Sequence, residues 1–103
     1  MKLKTILTTD TFDFWFKALQ DNQAKRRIQA RIDRAEDGHF GDCKPVGEGV
    51  SEMRINVGPG YRVYFVQRGA GFEIVILLAG GDKSTQSQDI KAALKLAQAI
   101  KEG

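Results

Sequence analysis

Two arginines, a tyrosine and a lysine lie close together in the second half of the sequence. Arg54 precedes a glycine-proline-glycine turn, Arg62 and Tyr64 follow that turn, and Lys83 comes after the next apolar run. Proline and glycine in this order favour a tight turn, so we expect the flanking segments to form a β-hairpin. Guanidinium groups bind phosphate oxygens through paired hydrogen bonds. We therefore predict that Arg54, Arg62 and Tyr64 share one face of the hairpin, and that this face binds an anion or catalyses a reaction on one.

Apolar and polar side chains alternate through both strands of this hairpin, so one of its faces belongs to the core. We expect Val57 to pair with Tyr61 across the turn, which also pairs Arg54 with Tyr64. A slip of one residue would place Arg54 beside Phe65 in the apolar layer, where its unpaired charge would be unfavourable. The alternation therefore predicts one apolar face and one cationic face.

The elements around the hairpin follow from apolar periodicity. The spacing predicts an edge strand over residues 2–7 and two helices over residues 12–19 and 22–37. After the hairpin, it predicts a strand buried on both faces over residues 72–79 and a last helix over residues 85–100. The loop that follows the second helix has room for a short edge strand at residues 44–46, because proline in a sheet is tolerated at an edge. The short break between the first two helices makes them a helical hairpin that packs on one face of the sheet. The predicted fold is α+β, with a small, mostly antiparallel sheet and a C-terminal helix.

Basic side chains are concentrated in the predicted second helix. The net charge of the chain is +3, and residues 25–34 carry five of its sixteen basic side chains. This cluster is either a solvated helix face, a surface that steers phosphate groups into a nearby site, or a docking surface for an acidic partner. Arg27 and Arg31 from the cluster, together with Lys44 and Tyr64, are accordingly the candidate substrate contacts.

Length and composition exclude several classes of protein. The chain is predicted to form one domain over its 103 residues, 1–103. No apolar run approaches the ~20 residues that span a bilayer, and the first residues lack the apolar segment of a secretory signal. The lone Cys43 fits a reducing cytoplasm, and one cysteine with one histidine gives no cluster of metal ligands. We therefore expect a cytoplasmic protein that uses no metal, no cofactor and no membrane.

Two segments of the sequence carry a family resemblance: S-E-M-R-I-N-V-G-P-G-Y-R-V-Y-F and L-L-A-G-G-D-K-S-T-Q. Together with the order of elements, they resemble the RelE/ParE toxin superfamily and, more narrowly, the addiction-module killer proteins related to HigB-type toxins. The resemblance covers essentially the whole chain. It implies a RelE-like fold and a toxin of a type II toxin–antitoxin module. Such a toxin is a metal-independent endoribonuclease that cleaves mRNA, usually on the ribosome, and is neutralised by a cognate antitoxin of the helix-turn-helix type.

The resemblance also implies roles for individual residues. Arg54 matches the arginine of the E-x-R segment, Arg62 that of G-Y-R-V-Y, and Lys83 a basic residue after the last strand. These three are the implied catalytic residues, which would converge on the scissile phosphate while the 2′-hydroxyl of the RNA attacks it and leaves a 2′,3′-cyclic phosphate. Ribonuclease members often carry a tyrosine or histidine near the C-terminus, and this chain has neither after Phe72, which makes Tyr64 the candidate substitute. Two alternatives stay open: inhibition of DNA gyrase, as in the ParE-like branch, and a non-toxic co-repressor that acts with its antitoxin.

Overall fold

A computed structural model describes residues 2–102 of the chain. Its strands are β1 (Thr5–Thr8), β2 (Cys43–Gly47), β3 (Val50–Ile55), β4 (Tyr61–Arg68) and β5 (Ile74–Asp82), and its helices are α1 (Asp10–Ala18), α2 (Asn22–Glu36) and α3 (Gln86–Glu102). A single 3₁₀ turn, Lys83–Thr85, joins β5 to α3. None of these helices is both long and apolar enough to cross a membrane.

The five strands belong to one sheet, in the order β1-β5-β4-β3-β2. β1 runs parallel to β5, and the other neighbouring pairs are antiparallel. β2 is the edge strand that the sequence allowed before the hairpin, and it carries Pro45 at the edge of the sheet, where proline is tolerated. β4 lies at the centre and β5 beside it, so the functional side chains of the hairpin are held by strands that are paired on both sides.

The sheet separates two hydrophobic layers. α1 and α2 cover one face, where the buried side chains include Phe12, Ile28 and Val63. α3 covers the other face, where Val66 and Ala93 are among the buried residues. Both helical layers are needed because the central strands have apolar side chains on both faces, and burying apolar area contributes about 25 cal/mol per Å². The α+β fold predicted from the sequence is confirmed, with its helical hairpin on one face and its C-terminal helix.

The register of the hairpin differs from the predicted one by two residues. Arg54 pairs with Arg62 and not, as predicted, with Tyr64. Val57, which was predicted to belong to the ladder, lies instead in a loop between β3 and β4 that is closed by a hydrogen bond from Gly60 N–H to Val57 O, 3.1 Å. The longer loop moves the pairing by two positions. Because strand side chains alternate with a period of two, this shift leaves the side chains on their predicted faces.

β5 begins later and ends later than predicted. Phe72, the predicted first residue, lies in the preceding turn with φ of 56° and is 61% exposed. At the other end the strand continues through two glycines: a Cβ on Gly80 would overlap the ring of Trp15, and a Cβ on Gly81 would overlap the carboxylate of Asp89. The two glycines therefore let α1 and α3 approach the same end of β5 from opposite faces.

Replacing Gly80 with alanine tests this close approach. The added methyl group has no space beside Trp15, so we expect Gly80→Ala to lower the free energy of unfolding by about 1–3 kcal/mol, the usual cost of overpacking. Gly71→Ala is the matched control, because Gly71 lies in the turn before β5 and a Cβ there meets only the Glu73 carboxylate, at 3.4 Å. Urea denaturation followed by Trp15 fluorescence measures both variants. Equal stability of Gly80→Ala and wild type would show that α1 does not pack against β5 in this way.

Candidate anion-binding site

A cleft of about 420 Å³ opens beside the loop that joins β3 to β4. Arg62 and Lys83 line it together with the loop residues 56–60. Arg62 is the second residue of β4, and Lys83 is the first residue of the 3₁₀ turn that follows β5. Because β4 and β5 are paired neighbours, two cations that are distant in the sequence meet at one end of the sheet.

The 3₁₀ turn that carries Lys83 is fixed by its cap. Asp82 Oδ1 accepts hydrogen bonds from the backbone N–H and the hydroxyl of Ser84, at 2.8 and 2.5 Å. These bonds lower the pKa of Asp82 below its ordinary value. Asp82 is engaged as a cap, and within residues 2–100 no carboxylate is ion-paired with Lys83. The Lys83 ammonium is therefore available to an anion in the cleft.

Arg62 is buried against a carboxylate. Its side chain is 10% exposed, and its Nε lies 3.8 Å from Oε1 of Glu52, whose side chain is 1% exposed. Oε2 of Glu52 accepts a hydrogen bond of 2.8 Å from Nε2 of Gln86, at the start of α3. In the described part of the chain, Glu52 and Arg62 are the buried charged residues. Each therefore depends on the other, because removing one member of a buried pair leaves an uncompensated charge.

Arg54 lies beside Arg62 in the β-ladder but outside the lining of the cleft. The two arginines are directly opposite each other, a position in which like charges repel. Nη2 of Arg54 is ion-paired with Oδ1 of Asp42 at 3.2 Å, in a pair that is partly exposed to solvent. Of the three cations that were expected to converge, the structure places Arg62 and Lys83 in one cleft and Arg54 next to it, with a carboxylate of its own.

Tyr64 lies under α3 and is fully buried. Its hydroxyl lies close to the carboxylate of Glu52 but makes no hydrogen bond of good geometry in the described chain. Burial raises the pKa of Tyr64 well above its ordinary value, and the negative charges of Glu52 and Asp89 raise it further. The phenol is therefore neutral at physiological pH, and in this structure it has no surface that a ligand could touch.

The two α2 arginines that were predicted to contact substrate, Arg27 and Arg31, have different surroundings. The guanidinium of Arg31 donates to three carbonyl oxygens: those of Arg54 at 2.6 Å, Phe40 at 2.9 Å and Asp42 at 3.2 Å. Arg31 therefore holds the loop before β2 against β3. Arg27 lines a second cleft, of about 230 Å³, with Arg34, Asn56 and Arg31 itself. Since Asn56 also lines the first cleft, the two clefts are adjacent.

The remaining predicted contact, Lys44, is exposed on β2 and pairs across the ladder with Glu52. Glu52 and Gln86 are the polar residues of the site that sequence reasoning missed. The face of Glu52 was readable, because Glu52 lies two residues before Arg54 in S-E-M-R and therefore shares its strand face. Its burial was not, because it comes from a helix whose Gln86 is 34 residues away. Over the residues that the structure describes, no three His, Cys, Asp or Glu side chains are grouped as a metal site requires.

Comparison with known proteins identifies the family of the chain. Residues 14–102 match the family described as "Phage derived protein Gp49-like (DUF891)". The chain belongs to this Gp49-like family. The Gp49-like chain is also 52% identical, over 95 residues, to a Haemophilus influenzae protein described as an uncharacterized protein, in a match that covers 92% of this chain and 94% of the relative.

A solved structure, described as that of a mutant of the E. coli toxin RelE in the free state, is similar to the Gp49-like chain. The TM-score is 0.65, and the match covers 88% of this chain and 97% of the RelE chain, with 9% sequence identity. At that identity the likeness shows the fold alone. The RelE-like fold that the family resemblance implied is therefore confirmed.

Replacing Tyr64 with phenylalanine tests the buried hydroxyl. Because the lost oxygen is buried and makes no well-formed hydrogen bond with the nearby Glu52 carboxylate, we expect the free energy of unfolding of Tyr64→Phe to equal that of wild type or exceed it by up to about 1 kcal/mol. Tyr64→Ala, which removes the whole ring, should lose about 3–5 kcal/mol. Urea denaturation measures both variants. A loss of more than about 1 kcal/mol in Tyr64→Phe would show that the hydroxyl is bonded to a buried acceptor.

Proposed function

We propose that this chain is the HigB-like toxin of a type II toxin–antitoxin module and acts as a metal-independent mRNA endoribonuclease. The observation that carries the proposal is the pair of cations, Arg62 and Lys83, that faces one cleft at the end of the sheet. Membership of the Gp49-like family and the RelE-like fold support a toxin of this kind. Cations that are fixed before the substrate arrives stabilise the charge that develops on a reacting phosphate, and this is commonly the largest catalytic contribution.

In the proposed reaction the RNA supplies its own nucleophile. The 2′-oxygen forms a bond to the adjacent phosphorus while the bond from phosphorus to the 5′-oxygen breaks, so the products are a 2′,3′-cyclic phosphate and a 5′-hydroxyl. Solvent accepts the proton of the 2′-hydroxyl and supplies a proton to the 5′-oxygen. Arg62 binds two non-bridging oxygens through its guanidinium. Lys83 neutralises negative charge on the phosphate and on the departing 5′-oxygen.

The second cleft extends the cationic surface away from the reacting phosphate. Arg27 and Arg34 line this cleft and meet the first one at Asn56, so a single strand held by Arg62 can lay neighbouring phosphates against α2. Arg54, which is partly exposed on the same sheet face as Arg62, is the third cation that we propose for the RNA backbone. Contacts between cations and phosphates provide most of the affinity for nucleic acid, and this affinity weakens as salt is added.

A second candidate function is favoured by what the cleft lacks. Its lining, residues 56–60 with Arg62 and Lys83, includes no His, Asp, Glu or Tyr side chain. Tyr64 is buried, so the described cleft offers no ordinary side-chain proton acceptor at neutral pH. A toxin that binds its target without cutting RNA, such as an inhibitor of DNA gyrase, needs no such group, and neither does a non-toxic co-repressor.

We propose two partners for the chain in the cytoplasm. The first is mRNA, bound on the ribosome, and the second is a cognate antitoxin of the helix-turn-helix type. The support for the antitoxin is the family and the fold, since a toxin of this kind is held inactive by such a partner. Co-expression with a helix-turn-helix antitoxin should restore growth after induction of this chain and yield a complex that purifies together.

Lys83→Ala is the cleanest test of the proposed cleavage, because Lys83 is exposed and has no ion pair within residues 2–100. We expect RNA cleavage to slow by about 10²–10³-fold and growth arrest on induction to be lost. The free energy of unfolding should stay within about 0.5 kcal/mol of the wild-type value. The control is Lys91→Ala, which removes a different exposed lysine, on α3, and should cut RNA at the wild-type rate.

Mapping of new 5′ ends across cellular transcripts after induction measures this activity in cells. The new ends should carry a 5′-hydroxyl and should disappear in Lys83→Ala. Growth arrest with intact transcripts and a DNA damage response would contradict the ribonuclease and favour gyrase inhibition. Undiminished cleavage by a folded Lys83→Ala variant would mean that the reaction does not take place in this cleft.

Arg27 and Arg31 should respond differently to alanine substitution. Arg27→Ala should weaken the binding of a single-stranded oligonucleotide and reduce the slope of log K against log salt by about 0.7, because one phosphate contact is lost. Arg31→Ala should instead lower the free energy of unfolding by about 1–3 kcal/mol, because carbonyl oxygens lose their donor. Binding titrations at several salt concentrations and urea denaturation separate the two. If both variants change in the same way in both measurements, Arg27 does not differ from Arg31 as a phosphate contact differs from a structural residue.

A further inference from the structure

Glu52 and Arg62 form a buried pair of opposite charges, but the Nε–H of Arg62 does not form a hydrogen bond with the carboxylate. Nε of Arg62 lies 3.8 Å from Oε1 of Glu52, which is beyond hydrogen-bond distance. This buried nitrogen has no other hydrogen-bond partner in the described chain. An unfilled buried donor is unfavourable, so some other contact must keep the carboxylate from closing onto the guanidinium.

Gln86 supplies that contact. Its Nε2 donates to the other carboxylate oxygen of Glu52, Oε2, at 2.8 Å, and Gln86 is the first residue of α3. The bond holds the carboxylate toward the helix while Oε1 stays short of Arg62. Pairs of arginine and carboxylate that are free to adjust commonly close into two parallel hydrogen bonds. The amide of Gln86 therefore keeps this pair open.

We propose that Gln86 and Glu52 are positioning residues that keep Arg62 electrically compensated but not hydrogen-bonded, so that its donors are free for a phosphate anion in the cleft. Arg62 lines the cleft together with Lys83, and Lys83 has no carboxylate partner within residues 2–100. The inference rests on the anion-binding cleft of the proposed function, and it does not require that RNA be cut. Because Nε is itself buried, an entering phosphate accepts hydrogen bonds from the terminal Nη groups of Arg62, while Glu52 remains as the counter-charge.

The two positioning residues should have opposite effects on anion binding. Without the Gln86 amide, Glu52 is free to close onto Arg62, and an anion must then compete with the carboxylate. Without the Glu52 charge, the competitor is gone, but Arg62 is left buried with no counter-charge. A merely structural role would move both variants in the same direction, toward lower stability together with lower affinity.

The test measures anion binding and stability separately. The probe is a fluorescently labelled single strand of DNA, which lacks the 2′-hydroxyl and is therefore not cut by the proposed reaction. Gln86→Met should weaken its Kd, measured by anisotropy, by about ten-fold, the worth of one charge-assisted hydrogen bond. The urea denaturation midpoint of Gln86→Met should be unchanged or raised. Glu52→Gln should bind the strand more tightly and have a lower midpoint, and if it does not fold, Gln86→Met alone decides.

Two matched controls make the same atomic changes elsewhere. Gln29→Met removes an amide that donates to Asp33, and Glu36→Gln neutralises a carboxylate that is ion-paired with Lys2; both should keep the wild-type Kd. An unchanged Kd in Gln86→Met, or a weaker Kd accompanied by a lower midpoint, would overturn the inference. If the wild-type protein binds the DNA strand but cuts no RNA, the proposed ribonuclease activity is refuted. The positioning roles of Gln86 and Glu52 are then still decided by the Kd values of the variants. Wild type that binds neither DNA nor RNA would overturn both.

Discussion

A buried ion pair between Glu52 and Arg62 joins the two strands of the hairpin to each other and, through Gln86, to the C-terminal helix. Two opposite charges can leave water only if they compensate each other and if polar groups nearby complete their shell. That requirement ties together three elements, because β3 carries Glu52, β4 carries Arg62 and α3 carries Gln86. The C-terminal helix is therefore more than a hydrophobic cover for the sheet: it completes the polar environment that orients one cation of the cleft.

The glycine at the end of β5 serves the same arrangement. Gly81 is the ladder partner of Arg62, and a side chain at that position would collide with Asp89 of α3. By leaving this space empty, β5 allows the start of α3 to approach the sheet closely enough for Gln86 to reach Glu52. The cross-strand pairing of two arginines is tolerated for a related reason, since each has its own carboxylate within 4 Å.

The sequence predicted the faces of the hairpin but not its pairing. Faces follow from the period of two that strand geometry imposes, and the cationic face was identified on that ground. The register depends on loop length, which is set by the conformation of Val57 and its neighbours and has no marker in the alternation. Burial was also out of reach: Glu52 and Tyr64 look like surface residues beside Arg54 and Arg62, and α3 covers them from a distant part of the chain.

In the proposed function, Arg62 and Lys83 hold one phosphate between them in the cleft. NMR spectra of the arginine Nε–H and lysine Nζ groups, recorded during a titration with a short single strand of DNA, test it most directly. We expect the signals of Arg62 and Lys83 to move together and to saturate with a single Kd. The signal of Arg31, whose guanidinium is held by carbonyl oxygens, should stay in place. Saturation of the α2 arginines with no change at Arg62 or Lys83 would contradict this expectation, because the anion would then be bound on the helix and not in the cleft.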